Sequence, residues 1–204
     1  MIVIIDYNIG NISAVANMLN RLGLPCKISS DIKDILQADR IILPGNGAYD
    51  ACVDALFNSG LIPTLEEQVL HHRIPLLGIC VGAQMLGMSS TEGVKPGLGW
   101  LDMRVERFPA IPGLRIPHMS WNHVMHSETN HPLTQDIAAE TRFYFVHSYY
   151  MLPKDPSEIL LHAHYGIDFA AGVARNNIVG VQFHPEKSHR YGKQLLSAFA
   201  KWRP

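Results

Sequence analysis

PLLGICVGAQ, at positions 75–84, places a single cysteine between two glycines, after an apolar run and before a run that favours helix. The pattern Gly-Ile-Cys-Val-Gly is the cysteine counterpart of the Gly-x-Ser-x-Gly elbow, in which a nucleophile occupies a sharp turn between a strand and a helix. We therefore expect Cys80 at the carboxyl end of a buried strand, where the amino end of the helix and a neighbouring imidazole favour the reactive thiolate. A small buried cysteine with a purely structural role is the alternative for this motif taken alone.

Strand and helix patterns alternate on both sides of this stretch. The β-branched run at 2–5 is followed by apolar positions at helical spacing from 11 to 22, and two more buried runs, RIILPG and IPLLGI, follow. Near-continuous apolar strands that alternate with helices indicate a mixed, mostly parallel sheet flanked by helices, as in flavodoxin-like α/β folds. After about residue 96 the strand runs become shorter and richer in hairpins, among them TRFYFVHSYYM at 141–151. We predict one domain over 1–204, with a two-residue turn at Asn176 and Asn177 and a closing helix from about 189 to 202.

Composition argues against several classes of protein. The 17 Lys and Arg nearly balance the 18 Asp and Glu, and no basic block occurs, so we expect no binding to nucleic acid. The amino terminus lacks a secretory signal and no long apolar run occurs, which predicts a cytoplasmic protein that does not cross a membrane. The three scattered cysteines fit neither a disulfide framework nor zinc spacing, and we expect no metal and no cofactor.

A second motif, VGVQFHPEKS at 179–188, supplies a candidate base. An apolar strand ends in His184, Pro185 and Glu186. If the chain is extended there, side chains two residues apart point to the same side, so Glu186 would hydrogen-bond one ring nitrogen of His184 and aim the other at a thiol. This is the nucleophile, base and orienter arrangement of a catalytic triad. A surface turn is the alternative for the motif in isolation.

A third motif, LPGNGAYD at 43–50, follows another buried strand. Gly45 and Gly47 allow backbone conformations that other residues resist, so the loop can present backbone N–H groups to an anion. We expect an oxyanion hole formed by this loop and the Val81 N–H. An ordinary turn between a strand and a helix would look the same, so this prediction depends on the other two motifs.

PGNGAYD, GICVGAQ and GVQFHPEKS, in this order, resemble the triad glutamine amidotransferases, and the resemblance covers essentially the whole chain. Three further stretches, IIDYNIGNISAV, RIPHMSWNHV and FYFVHSYY, narrow it to the glutaminase subunits of imidazole glycerol phosphate synthases of histidine biosynthesis. The resemblance implies a fold like that of the class I glutamine amidotransferases and glutamine as the substrate. It also implies a heterodimer with a (β/α)8-barrel cyclase that receives ammonia through a channel.

The resemblance also implies roles for individual residues. Cys80 would be the nucleophile, His184 the acid and base, and Glu186 its orienter. Contacts with the substrate or its oxyanion would come from Gly45, Asn46, Gly47, Val81, Gln84, His147, Ser148 and Tyr149. Positions at the subunit boundary and the ammonia exit would be Asn11, Met119, Trp121, Asn122, Tyr144 and Lys187. Core packing of the aromatic residues and a solvated Lys187 are the alternatives.

The sequence departs from the family pattern at three places. Asn46 stands where the family commonly has Val, and Ser120 stands where it commonly has Gly. The ending HPEKSHRYG resembles a paralogous group that supplies ammonia for sugar amidation in surface-polysaccharide synthesis. The acceptor pathway therefore stays open between histidine and surface sugars. A stand-alone cysteine hydrolase acting on a γ-glutamyl or small amide substrate is a further alternative, whereas an inactive binding module conflicts with the complete Cys-His-Glu set.

Overall fold

The structure is a computed structural model that describes residues 1–127 and 131–204. Its first half alternates strands and helices as the apolar pattern predicts. In chain order these elements are β1 (Ile2–Ile5), α1 (Ile12–Arg21), β2 (Cys26–Ser29), α2 (Ile32–Leu36), β3 (Arg40–Gly45), α3 (Tyr49–Asn58), α4 (Ile62–Glu66) continued by a π turn (Glu67–His71), β4 (Leu76–Cys80) and α5 (Val81–Gln84).

The second half is dominated by short strands. They are β5 (Ser89–Ser90), β6 (Met103–Arg107), β7 (His118–His123), β8 (Met125–His126), β9 (Arg142–His147), β10 (Tyr149–Pro153), β11 (Ile159–Tyr165), β12 (Ile167–Arg175) and β13 (Ile178–Val181). Two 3-10 turns (Pro156–Glu158 and Pro185–Lys187) and the closing helix α6 (His189–Lys201) complete the described elements. The predicted two-residue turn is confirmed, because Arg175 pairs with Ile178 across it and Asn176 has a φ of 54°.

The central sheet places β2, β1, β3, β4 and β13 side by side, and each neighbouring pair among them is parallel. β12, β10, β6 and β5 extend the sheet in that order, with antiparallel pairing from β13 to β6, and β11 pairs with β12 and β8. Every residue of β1, β4 and β13 is buried, which explains why these strands read as continuous apolar runs. The predicted mixed α/β sheet is confirmed.

The prediction that TRFYFVHSYYM forms one strand run is wrong at Ser148, because β9 ends at His147 and β10 begins at Tyr149. β9 pairs with β7 in a separate two-stranded sheet, whereas β10 lies between β6 and β12 in the main sheet. Two hydrogen bonds account for the break: the Ser148 carbonyl accepts from the Phe108 N–H of a distant segment, and the His147 ring contacts the Tyr149 carbonyl. Apolar residues continue on both sides of the break, so the pattern alone does not reveal it.

None of the helices within residues 1–127 and 131–204 has the length and apolar character needed to span a bilayer. The longest described helix is α6, whose 13 residues bury one face that includes Leu195, Leu196 and Phe199. A helix of that length rises about 20 Å, less than the roughly 30 Å thickness of a bilayer core. α6 packs against the 3-10 turn Pro185–Lys187, α1 and β9.

Candidate active site

The three sequence motifs meet because they follow three adjacent parallel strands. Gly45 at the end of β3 pairs with Cys80 at the end of β4, and Val181 at the end of β13 pairs with Ile79. His184 lies three residues beyond Val181, above the same edge of the sheet. Ligands of open α/β sheets bind beyond the carboxyl ends of the strands, near the point where the strand order reverses. The topology thus brings the cysteine, the glycine loop and the histidine together.

Cys80 occupies the strained elbow that the sequence predicts. Its φ is 53° and its ψ is −115°, a conformation that residues other than glycine rarely adopt. A Cβ on Gly82 would lie 2.1 Å from the Leu43 carbonyl oxygen, and one on Gly45 would lie 2.2 Å from the Gly82 nitrogen. β3 and α5 therefore approach so closely that both positions require glycine. Gly45 is buried and has this packing role.

The His184 and Glu186 side chains form a buried pair. The Nδ1 atom of His184 lies 2.7 Å from Oε1 of Glu186, and the two side chains are 2% and 1% exposed. A carboxylate only accepts, so Nδ1 carries the hydrogen. The sequence predicts this pairing from an extended chain, and that reason is wrong. Pro185, Glu186 and Lys187 form a 3-10 turn, which folds the carboxylate back onto the ring.

The electrostatics of this pair favour a charged imidazole. Burial is the largest single influence and lowers the pKa of His184, but interactions with Cys80 and Glu186 together outweigh it and raise the pKa to about 9. His184 Nε2 is buried and has no hydrogen-bond partner among the described residues. Catalytic contacts are often long in ligand-free enzymes. Nε2 is thus the atom free to exchange a proton during a reaction at Cys80.

Cys80 is 4% exposed and opens into a cavity of about 220 Å³. This is smaller than the roughly 300–1,000 Å³ typical of sites for drug-sized ligands, so the site suits a small molecule. Among the described residues, no cluster of three His, Cys, Asp or Glu side chains could hold a metal ion. The lining residues are Asn46, Gly47, Cys80, Val81, Gln84, Glu92, Pro117, Val146, His147, Ser148 and Tyr149.

The cavity thus unites seven of the eight residues expected to contact the substrate, with Gly45 outside it. Gln84 is held by its Nε2 atom, which donates to the Tyr149 carbonyl at 3.3 Å and to Gln182 Oε1 at 3.0 Å. The Oε1 atom of Gln84 is buried without a partner among the described residues. It leaves an acceptor beside the cavity for an N–H group of a ligand.

Two hydrogen bonds to backbone carbonyls hold the glycine loop in place. Tyr7 donates its hydroxyl hydrogen to the Pro44 carbonyl, and the Cys52 thiol lies 3.4 Å from the Asn46 carbonyl that accepts from it. Gly47 has a φ of 98°, which favours glycine. Val81 is the first residue of α5, so its N–H has no partner within that helix. The loop and the helix start therefore both lie at the cavity into which Cys80 opens.

Glu92 is a residue that the sequence reasoning missed. It lines the cavity, and burial raises the pKa of its carboxyl group, although the Tyr49 N–H donates a hydrogen bond to it. Asp50 holds the loop that carries Glu92, because its carboxylate accepts from the N–H groups of Val94 and Lys95, each at 3.1 Å. A loop residue has no periodic pattern, and the only sequence signal is an acidic residue before Gly93.

Four of the residues expected at a subunit boundary lie together. Trp121 pairs with Tyr144 across β7 and β9, Met119 pairs with Val146, and Lys187 Nζ lies 5.8 Å from the Tyr144 ring centre. Met119 and Trp121 are exposed. The missed His189 stacks on Trp121 at 5.5 Å. We call Met119, Trp121, Tyr144 and Lys187 the aromatic face.

The other two residues are placed differently. Asn122 alternates with Trp121 along β7, so its side chain lies on the opposite side of the strand, where it hydrogen-bonds the His164 carbonyl at 2.8 Å. Asn11 precedes α1, which packs against the turn that carries Glu186 and Lys187. Asn11 is therefore close to the triad turn in the fold but makes no side-chain cap on its helix.

The chain is similar to known proteins over nearly its whole length. The sequence model of the family described as glutamine amidotransferase class-I matches residues 3–201. Imidazole glycerol phosphate synthase subunit HisH 2 of Pseudomonas aeruginosa is 52% identical over 201 residues, which cover 98% of this chain and 99% of that protein. The subunit HisH of Bdellovibrio bacteriovorus is 45% identical over 204 residues, covering 98% and 100%. The solved structure of PurLQS from Thermotoga maritima has a TM-score of 0.75 at 18% identity, covering 97% of this chain and 96% of that one, which shows a shared fold alone.

Proposed function

The chain belongs to the class-I glutamine amidotransferase family, and we propose that it is the glutaminase subunit of an imidazole glycerol phosphate synthase. It hydrolyses glutamine to glutamate and passes ammonia to a (β/α)8-barrel cyclase that makes imidazole glycerol phosphate and AICAR in histidine biosynthesis. The observation that carries the chemistry is the buried pair of His184 and Glu186 beside a strained Cys80 that opens into a small cavity. The names of both relatives favour the histidine pathway over the surface-sugar pathway.

The first half of the reaction forms a thioester. The Cys80 thiolate attacks the side-chain carboxamide carbon of glutamine, and the oxygen becomes an anion. The N–H groups of Val81 and the Asn46–Gly47 loop stabilise this anion, and one such donor contributes about 3 kcal/mol. The raised pKa of His184 keeps its ring charged at neutral pH, so Nε2 donates a proton to the departing nitrogen and ammonia leaves.

The second half releases glutamate. His184 is now neutral, so Nε2 accepts a proton from water, and the resulting hydroxide attacks the thioester carbon. The same backbone donors stabilise the second anion, which collapses with Cys80 sulfur as the leaving group. The Glu186 carboxylate holds the Nδ1 hydrogen through both halves, which keeps Nε2 as the reacting atom. The cycle ends with the Cys80 thiolate and the charged His184 ring restored.

Glutamine itself brings an α-ammonium and an α-carboxylate into the cavity. The half-buried Glu92 carboxylate suits the ammonium, because a neighbouring cation offsets the burial that raises the pKa of Glu92. The free Oε1 of Gln84 offers an acceptor for the same end of the substrate. The cavity lining also includes His147, Ser148 and Tyr149, which form a wall of the site.

A partner is part of the proposal, because free ammonia is protonated in neutral water and then is no longer a nucleophile. The aromatic face borders the active site through Val146, which lines the cavity and pairs with Met119. Exposed Met and Trp side chains are typical of protein interfaces. We therefore infer that the cyclase docks on this face. A cytoplasmic location fits the three unpaired cysteines, which are usual in reducing compartments.

Asp50→Ala is expected to raise the KM for glutamine about tenfold and to leave kcat within about twofold. The substitution removes the acceptor that fixes Val94 and Lys95, so Glu92 is no longer held beside the cavity. Asp54→Ala is the matched control, since Asp54 reaches the same loop only through an exposed ion pair with Lys95 at 2.9 Å. Steady-state glutamate release measures both. Equal KM values for the two variants would contradict the assignment of Glu92 to the substrate.

Glutamate release with and without a cyclase subunit tests the function itself. The purified chain is mixed with the cyclase and its phosphorylated nucleotide substrate, and glutamate is followed over time. We expect glutamine hydrolysis to rise at least about tenfold in the mixture, since the cyclase docks beside the cavity and coupling between two such sites is typically about 5- to 150-fold. Full activity of the chain alone, without stimulation, would instead identify a stand-alone hydrolase.

A further inference from the structure

A chain of hydrogen bonds runs from β7 to the wall of the cavity. Asn122 Nδ2 lies 3.3 Å from His118 Nε2, His118 Nδ1 lies 3.0 Å from His147 Nε2, and His147 Nδ1 lies 2.7 Å from the Tyr149 carbonyl oxygen. We call these four groups the histidine relay. The mechanism above uses none of its members as an acid or a base, although His147 and Tyr149 line the cavity.

The direction of each bond in the histidine relay follows by elimination. A carbonyl oxygen only accepts, so His147 Nδ1 carries the hydrogen, and the Nε2 of a neutral His147 is an acceptor. His118 must then donate from Nδ1, which leaves its own Nε2 as an acceptor for the amide of Asn122. The Asn122 amide is fixed as well, because its Nδ2 also donates to the His164 carbonyl at 2.8 Å.

The surroundings keep both rings neutral and in place. His118 is fully buried and stacks between Phe145 at 4.9 Å and Tyr165 at 4.0 Å. Burial lowers the pKa of His118 to about 4. Burial also lowers the pKa of His147 to about 3, although its bond to the Tyr149 carbonyl opposes this. Both imidazole rings are therefore neutral at neutral pH. The donors and acceptors assigned to the hydrogen bonds of the histidine relay depend on this neutrality.

The relay continues to the nucleophile through two amides. The Tyr149 carbonyl accepts from Gln84 as well as from His147, and the same Gln84 amide donates to Gln182. Gln182 Nε2 in turn lies 3.8 Å from Cys80 Sγ, to which it donates. A hydrogen-bonded path therefore joins Asn122, next to the aromatic face in sequence, to the reacting sulfur.

We propose that His118 is a positioning residue, whose Nδ1–H fixes His147 and the Tyr149 carbonyl and thereby sets the glutamine-binding wall and Gln84. This inference rests on the proposed glutaminase function, because the wall matters only if it holds the substrate. In this role His118 must present a hydrogen-bond donor at the position of Nδ1. A side chain of the same shape without that donor would not be sufficient. Networks of this kind lose more than one bond when a central member is removed.

Two variants with the same amide group test the position of the donor. In His118→Asn the amide nitrogen can occupy the position of Nδ1, whereas in His118→Gln it reaches only the position of Nε2. We expect kcat/KM for glutamine in the complex to fall about tenfold in His118→Gln and less than about threefold in His118→Asn. His164→Gln is the control, since the His164 side chain is exposed and only its backbone carbonyl meets Asn122.

Nitrogen-15 NMR of labelled histidines in the unmodified chain shows which ring nitrogens of His118 and His147 carry a hydrogen. We expect both His118 and His147 to be neutral at pH 7, with the hydrogen on Nδ1 and none on Nε2. A hydrogen on Nε2 of either ring would overturn the proposal. So would equal activity of the Asn and Gln variants at equal melting temperature. Should a variant fail to fold, the spectrum of the unmodified chain still decides the bond directions.

The two proposals fail in different ways. If the unmodified chain with its cyclase releases no glutamate, the proposed function is wrong while the spectrum still reports the relay. If the unmodified chain is active but His118→Gln matches it in kcat/KM, the positioning role is wrong while the function stands.

Discussion

Cys80→Ser is expected to lower glutamine hydrolysis by the complex about a thousandfold or more. A serine hydroxyl stays protonated at neutral pH, whereas the reaction begins from a thiolate beside the charged ring of His184. The oxygen is also smaller than sulfur, so the reacting atom sits farther from the substrate carbon. Glutamate release under saturating glutamine measures the loss.

The specificity of this effect can be checked in the same preparation. Synthesis by the cyclase from added ammonium salts should stay within about twofold of the unmodified complex, because Cys80 plays no part in that reaction. Cys26→Ser is the matched cysteine control, since Cys26 lies on β2, does not line the cavity, and its thiol hydrogen-bonds the Ala16 carbonyl and Asn20. Normal glutamine turnover by Cys80→Ser would remove the nucleophile from the mechanism.

Glu186→Gln is expected to lower kcat by about four orders of magnitude, similar to loss of the orienting carboxylate in other triads. An amide can present its nitrogen to His184 Nδ1, which would place the hydrogen on Nε2 in the neutral ring. The substitution also removes the negative charge of Glu186, which helps to raise the pKa of His184. The first change leaves Nε2 unable to accept a proton from water, and the second disfavours the charged ring that protonates the departing nitrogen.

The activity of Glu186→Gln is also expected to respond to pH in a specific direction. The charged ring donates the proton, so activity of the unmodified complex should fall as pH rises through the His184 pKa of about 9. In Glu186→Gln that pKa is lower, and the fall should begin at a lower pH. Glu158→Gln is the control, because Glu158 pairs with Arg175 far from the cavity. An unchanged alkaline limb in Glu186→Gln would show that Glu186 does not act on the ring.

The departures from the family pattern have a structural context. Asn46 is exposed beside Gly47, and the Cys52 thiol holds its carbonyl, so the substituted side chain does not enter the core. Ser120 is exposed on β7 between Met119 and Trp121. His189 follows the triad turn with a φ of 46° and stacks on Trp121, which explains how the unusual ending SHRYG contributes to the aromatic face.

The amino-acid sequence alone is enough to predict the α/β sheet and the meeting of three motifs. Buried parallel strands leave a strong signal, because both faces of each strand must be apolar. The carboxyl ends of adjacent parallel strands meet at one edge, so a cysteine, a glycine loop and a histidine that follow such strands are expected to lie together.

Tertiary packing, in contrast, sets the features that depend on single hydrogen bonds between distant segments. The break at Ser148, the clamp of Asp50 on the Glu92 loop and the direction of the histidine relay all join residues far apart in the chain. Side-chain periodicity reports which face of an element is buried, but it carries no information on which polar atom meets which. These contacts form only when the packed core fixes the distances between elements, and they set the wall of the cavity.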